Sequence, residues 1–191
     1  MVLLNQVHSN KFFFLGKKFK NFSKKLKGDA LITKERKIIL GILTADCAPV
    51  LIYDSKLNII AAIHAGWKGA YKGIVKKVIR YLYNCGSESK NLVAAIGPCI
   101  SQQSYEIKKD FKSKFLKQSK KNEIFFKKFK KKTYFSLNMY IYYQLKNLGL
   151  KKIDIIKKNT YNPKNYLFSA RRSIHKKEND YGRNISIIMI N

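Results

Sequence analysis

From Thr44 to Gly69 the chain reads TADCAPVLIYDSKLNIIAAIHAGWKG, and two residue types in it are suited to chemistry. Cys47 precedes one apolar run, His64 ends the next, and a glycine-rich turn follows. If the runs are neighbouring strands, Cys47 and His64, 17 residues apart, meet at one end of a sheet. A soft thiolate and an imidazole converging beside a helix start suit a metal site or an activated nucleophile. The turn HAGWKG, with Gly66 and Lys68, would also aim backbone N–H groups and the positive end of a helix dipole outward, a ready place for phosphate. Close packing of strand on helix is the plainer role for its glycines; the flanking cysteine and histidine favour the anion site.

The elements that must position these residues follow from periodicity. Apolar runs predict strands over 2–7 (VLLNQV, ending at His8), 12–15 (FFFL), 37–43 (KIILGIL), 48–53 (APVLIY, with Pro49 at its start or edge), 58–64 (NIIAAIH) and 92–97 (LVAAIG), and in the later KIDII and GRNISIIMI. A polar basic loop, GKKFKNFSKKLKG, leads to Gly28 and Asp29. From Gly69 to Tyr83 the period becomes helical, with Tyr71, Ile74, Val75, Val78 and Leu82 on one face and Gly86 as the stop. A second helix runs from a capping Ser136 to Gly149. Between Lys108 and Lys132 lysine clusters alternate with five phenylalanines, which reads as a surface element packing its rings inward. No repeat or proline-rich linker divides the chain, so residues 1–191 are expected to form one mixed α+β domain rather than a purely parallel doubly wound sheet.

Composition bounds the partners. At 191 residues and 46% hydrophobic, the chain can bury a sizeable core. Three cysteines cannot all pair within the chain, the start lacks a signal-peptide pattern, and no run is long enough to span a bilayer, so a cytoplasmic location without membrane contact is expected. The net charge of +29 invites a nucleic-acid reading, but only five of the basic residues are arginines and the lysines are spread along the length. A solvated basic surface with weak, salt-sensitive adhesion to polyanions is expected, not a specific nucleic-acid partner. His8 by itself reads as structural, Cys99 as a small buried hydrophobe, and His175 as part of an exposed loop without a role. Arg171, Arg172 and Arg183 are candidates for phosphate or carboxylate recognition, with salt bridges as the plainer use.

An ordered set of motifs covers most of the chain: NQVHS at 5–9, GDALIT at 28–33, TADCAPVLIYD at 44–54, AAIHAGWKG at 61–69, IGPCI at 96–100 with YEI at 105–107, and FSARR with a later GR. Together they resemble the YfiH/YlmD-like family, long labelled multicopper polyphenol oxidoreductase or laccase-domain proteins and now associated with purine nucleoside phosphorylase activity. The resemblance implies a four-layer α/β/β/α sandwich and a zinc site made from His8, Cys47 and His64, which gives His8 a function. Two imidazoles and a thiolate leave one tetrahedral position open, the construction of a catalytic rather than a structural zinc. The chain departs from the family by beginning almost at QVH, where members usually carry a preceding segment, and by having Asn159 and Thr160 where a Cys-Thr pair is common.

Family members are reported to cleave adenosine, inosine and methylthioadenosine with phosphate and to deaminate adenosine. For this chain the resemblance implies purine nucleosides and phosphate as partners, with Lys68, Arg171 and the turn at Gly66 as the phosphate-binding candidates. Deamination needs a proton relay, and in the absence of an HxE motif Asp46 or Asp29 would supply it. Laccase chemistry needs several coppers held by many imidazoles, and three histidines are too few; zinc is the expected ion, with copper as the alternative. Two competitors remain. One is a cysteine hydrolase using Cys47 and His64, like the deamidase toxins said to share this fold. The other is a non-enzymatic polyanion-binding protein.

Overall fold

The computed structural model describes residues 1–17 and 26–191, so most of the basic loop at 16–28 lies outside the described residues. A six-stranded sheet is built from β1 (Phe12–Leu15), β2 (Ala30–Thr33), β4 (Ala48–Asp54), β5 (Ile59–Ala65), β6 (Leu92–Ile96) and β10 (Lys152–Ile155), in the order β1-β2-β5-β4-β6-β10. Its pairings are mixed: β1 with β2 and β6 with β10 are parallel, the rest antiparallel. All seven residues of β5 are buried, which is why IIAAIHA does not alternate between apolar and polar: both faces of that strand are covered.

The covers differ. On one face Ile32, Ile52, Ala61 and Ile63 join a core with α2 (Ile74–Asn84) and α4 (Leu137–Asn147). On the other, Leu31, Ile60 and Ala62 meet Leu40 and Ile42 of β3 (Leu40–Thr44), which pairs antiparallel with β11 (Asn184–Ile188). Helices therefore lie on one side of the large sheet and a second sheet on the other, the mixed α+β architecture that the motifs imply. A third sheet, β7 (Glu106–Ile107), β9 (Lys132–Phe135) and β8 (Phe126–Phe129), is attached with α3 (Lys109–Gln118).

Register places the chemistry. β4 and β5 pair with Ala48 opposite Ala65 and Pro49 opposite His64, so Cys47, just ahead of β4, stands at the sheet end where His64 emerges. Pro49 is tolerated because it lies at the very start of its ladder, where its carbonyl still accepts from Gly97 N at 2.9 Å.

Several expectations are corrected. Residues 2–7 make single bridges, Val2 to Leu40 and Asn5 to Lys27, rather than a strand. β3 begins at Leu40, not Lys37, whose φ of 61° is left-handed. The helix expected from Gly69 to Tyr83 is two pieces, α1 (Trp67–Tyr71) and α2, because Gly73 takes φ +80° between them. Ser136 holds the N-cap position of α4 as expected, but its hydroxyl makes no cap bond and donates instead to Asn138 Oδ1. His175 lies in a helix, α5 (Ala170–Lys176), capped by Ser169, whose Oγ accepts from Arg172 N. Of the five phenylalanines expected to face inward, Phe129 points to solvent, 57% exposed.

The break at Gly73 yields a clean test. A Cβ there has room, the nearest atom being Lys76 Cβ at 3.9 Å, so Gly73→Ala meets only the backbone penalty. That penalty is about 1–2 kcal/mol, equivalent to roughly 2–8 °C in Tm for a chain of this size. Thermal unfolding should show the fall without loss of the site below; an unchanged Tm would mean the left-handed turn is not required.

Candidate metal centre

Three side chains meet at the sheet end. Cys47 Sγ lies 3.7 Å from His8 Nε2, the rings of His8 and His64 stand edge to face with centroids 4.8 Å apart, and one donor atom from each residue lies within 4.8 Å of the others. Donors bound tetrahedrally to one zinc are separated by roughly 3.6 Å for a nitrogen and sulfur pair, so the cluster is close to the spacing a metal requires.

Asp29, fully buried, orients the cluster. Its Oδ1 is 2.8 Å from His64 Nδ1, which leaves His64 Nε2 free for a ligand on the other side of the ring. The same carboxylate accepts from His8 N at 2.9 Å and from Ser9 N and Ser9 Oγ at 2.6 Å. Asp29 O also accepts from His64 N at 2.7 Å, so one residue positions two histidines 56 residues apart in the chain. Burial disfavours its charge, but the hydrogen bonds from His64 and Ser9 outweigh that and hold the acid at about 2.

Gln6 reinforces the placement of His8. Its amide donates to Leu43 O at 2.7 Å and accepts from Leu43 N at 2.9 Å, imitating a strand partner for β3. His8 itself has φ 56°, and Asp46, just before Cys47, has φ 82°. Histidine and aspartate reach the left-handed region more readily than most residues, yet each position is strained relative to the ordinary basins. Asp46 is secured by Thr160 Oγ1 on one carboxylate oxygen and Arg171 N on the other, both at 2.6 Å. Thr160 thus has a specific task, and its neighbour Asn159 accepts from Ser101 N and Tyr161 N while donating to Ser104 Oγ.

Gly66 is required for a different reason from the one its motif suggests. A Cβ there would lie 2.7 Å from Cys47 Sγ and 2.8 Å from His8 Cδ2, so only glycine leaves space for the cluster. The helix that follows is a single turn of five residues and offers no extended dipole. Lys68 is exposed, its Nζ 5.7 Å from the Trp67 ring centroid, and does not line the cavity above the cluster.

That cavity holds about 610 Å³ and is lined by His8, Cys47 and His64 together with Gln6, Tyr181 and Arg183. The Arg183 guanidinium stacks 3.8 Å from the Tyr181 ring centroid. A smaller space of about 220 Å³ adjoins it, sharing His8, Cys47 and Tyr181 and reaching Arg171 and Tyr105. Arg171 Nη1 donates to Glu106 O at 3.0 Å, while Arg172 clamps the carbonyls of Thr160, Tyr161 and Leu167 and is a structural residue. Gln6 and Tyr181 were not legible as site residues; the membership of Gln6 in QVH and the adjacency of Tyr181 to GR were the available signals. His175 bonds Tyr161 and lines a separate groove, so only two imidazoles reach the cluster.

The donor set fits a metal: a thiol, two imidazoles, a carboxylate fixing one ring, and space secured by glycine. Over residues 1–191 the chain matches the family described as multi-copper polyphenol oxidoreductase laccase. The chain belongs to this family. Within it, the chain is 37% identical over 188 residues to a protein of Rickettsia conorii named purine nucleoside phosphorylase, spanning 97% of this chain and 75% of that one. It is 35% identical over 178 residues to one of the same name from Rickettsia prowazekii, covering 92% and 72%. Among solved structures, Bacillus licheniformis YfiH superposes with TM-score 0.89 at 25% identity, covering all of this chain and 74% of that one. YlmD of Geobacillus stearothermophilus has the same fold, with TM-score 0.88 at 21% identity and coverage of 100% and 73%. The family membership agrees with the resemblance carried by the motifs, and no helix among the described residues is long and apolar enough to cross a membrane.

In the metal-free state the cluster is an ionic chain. Burial raises the Cys47 thiol, but hydrogen bonds from His64 and His8 bring it down to about 7. Burial lowers His64, but Asp29 and Cys47 together raise it to about 9. Alkylation of Cys47 by iodoacetamide in chelator-treated protein should therefore rise through a midpoint near pH 7, with Cys99, pushed up to about 12 by burial, unreacted. Peptide mass spectrometry separates the three cysteines. Asp29→Asn removes the charge supporting His64 and should move that midpoint upward; an unmoved midpoint would disconnect Asp29 from the thiol.

Proposed function

We propose that this chain is a metal-dependent purine nucleoside phosphorylase, converting a purine nucleoside and phosphate to free base and ribose 1-phosphate. The observation that carries it is the His8–Cys47–His64 cluster on the wall of a nucleoside-sized cavity that also holds an arginine; the names of the Rickettsia relatives support the reaction class. His8, Cys47 and His64 would hold the ion, zinc in preference to copper given one thiolate and two imidazoles. When bound, such an ion supplies Lewis acidity at the open coordination position.

The chain's own residues do the rest. Arg183, lining the cavity, and Arg171, lining the adjoining space, are the guanidiniums we assign to holding phosphate beside the ribose; Lys68 lies outside both spaces. Tyr181, shared by the two spaces, offers a ring against the sugar or base. In the reaction the N9–C1′ bond breaks with its electron pair passing to the purine, an oxygen of hydrogen phosphate bonds C1′, and the proton that the phosphate gives up ends on the departing base. Asp29 and Asp46 have both carboxylate oxygens committed to hydrogen bonds, so we assign them to positioning rather than proton relay, and deamination of adenosine is the secondary activity.

A second reading has specific support. Asp29, His64 and Cys47 are arranged as carboxylate, imidazole and thiol, the order of a cysteine hydrolase. Metal removal separates the two: it abolishes turnover in the first and leaves it in the second, where alkylation of Cys47 abolishes it.

Protein purified without chelator should hold about one zinc per chain, and Cys47→Ala should lose it, by elemental analysis. Because binding must displace the proton that His64 retains up to about 9, affinity should rise about tenfold per pH unit between 7 and 9 and fall more steeply below 7, where Cys47 is also protonated. Base release from inosine should require phosphate and yield ribose 1-phosphate, and Arg183→Ala should raise the phosphate concentration for half-saturation roughly tenfold to a hundredfold, with zinc content unchanged. Equal base release in phosphate-free buffer would overturn the phosphorylase reading.

A further inference from the structure

The solvent face of the β7–β9–β8 sheet carries rings and cations together. In its ladder Lys127 stands opposite Tyr134 and Phe129 opposite Lys132, and residues opposite one another share a face. Lys127 and Phe129, two apart on β8, share it as well. The reverse face carries Phe126 and Phe135, whose rings pack 5.1 Å apart against the core. Phe129 has no such partner among the described residues, lies 57% exposed, and has Lys130 Nζ 5.6 Å from its ring centroid.

The turn at Lys130 and Lys131 is left-handed at both residues, with φ 43° and 62°. Asn and Gly are the residues that fit such a turn; two lysines there set cations at the hairpin tip against local backbone preference. Twelve lysines fall between Lys108 and Lys132, against two acids, Asp110 and Glu123. The one acid in the ladder of this face, Glu106, is paired with Lys132 at 2.9 Å. Beside the face a groove of about 530 Å³ has Phe129, Tyr134 and Lys127 on its walls, with the side-chain amides of Gln103 and Asn138.

We propose that this face binds single-stranded nucleic acid without regard to sequence, bases stacking on Phe129 and Tyr134 while Lys127, Lys130 and Lys131 meet the phosphates. Exposed aromatics interleaved with lysines on a sheet are a platform for unpaired bases, and the amides can pair with base edges. A lipid surface would desolvate the Gln103 amide and the Asn138 Nδ2 without offering them a partner, the Asn138 oxygen being engaged by Ser136 and Met139, which is why nucleic acid is favoured over a membrane. The partner is the polyanion that the local charge complements, and the face is separate from the metal centre.

The test measures anisotropy of a labelled twelve-residue oligouridine against wild type, Phe129→Ala, Phe129→Tyr and the pair Lys127→Ala with Lys130→Ala, over a range of salt. Phe129→Ala should weaken oligouridine about tenfold, Phe129→Tyr should restore it, and binding of inorganic polyphosphate should be the same for all three. The lysine pair should lower the salt slope by about 0.7 for each charge removed, whereas Lys151→Ala with Lys152→Ala should leave oligouridine affinity within about twofold. Base release from inosine should be unchanged in Phe129→Ala. Equal oligouridine affinity for wild type and Phe129→Ala would overturn the proposal and leave only diffuse charge. Phe129-dependent sedimentation with phosphatidylserine vesicles, without Phe129-dependent oligouridine binding, would replace it with a membrane surface.

Discussion

The buried contact between Asp29 and His64 is the interaction on which the site depends. A carboxylate with no solvent exposure is tolerable only when its lone pairs are occupied, and Asp29 occupies them with an imidazole, two backbone amides and a hydroxyl. Each is a charge-assisted bond in a low-dielectric setting, so removing one partner leaves the remainder under-satisfied. The bonds tie the irregular N-terminal segment to the central sheet: they join a residue at the start of β2 to the end of β5 and to the turn that bears His8. The fold can therefore dispense with a regular first strand and still place His8 accurately.

Around this contact, the ligands are presented by backbone that would be costly elsewhere. His8 and Asp46 both occupy the left-handed region, and each is held by bonds from distant segments: His8 by Asp29 and the neighbouring Gln6–Leu43 pairing, Asp46 by Thr160 and Arg171. Strain retained at one ligand, His8, and at the residue just before another, Cys47, with glycine where a single carbon would collide with both ligands, is the pattern of a site whose geometry is selected over local stability. Gly66 and Gly73 illustrate two separate demands, one for space and one for a left-handed turn.

The large positive charge has a similar two-part character. Much of it is solvated lysine with no defined partner, which contributes little beyond solubility and weak attraction for polyanions. Between Lys108 and Lys132 it acquires shape, because the hairpin turns one ring outward and surrounds it with cations on a defined face. The same run of residues supplies Phe115 to the core and Phe129 to solvent, so its composition alone does not say which rings are structural.

Cys47 and His64 were legible by themselves because two apolar runs, one preceded by a thiol and the next ending in an imidazole, have few ways to pair, and the antiparallel register of β4 and β5 brings them to the same edge. The helical character of α2 and α4, the buried strand β5 and the mixed α+β character followed from sequence pattern, and the motifs together carried the family. Local pattern did not reveal the broken helix at Gly73, the bridged rather than paired N-terminus, or the helix containing His175, since each is decided by contacts with other segments. Nor did it separate a carboxylate that relays protons from one that holds histidines. Asp29 and Asp46 look alike in sequence, each beside a turn, and only the tertiary structure shows all four of their oxygens engaged by residues between 20 and 125 positions away, because hydrogen-bond satisfaction is a property of the packed interior and not of the segment that carries the group.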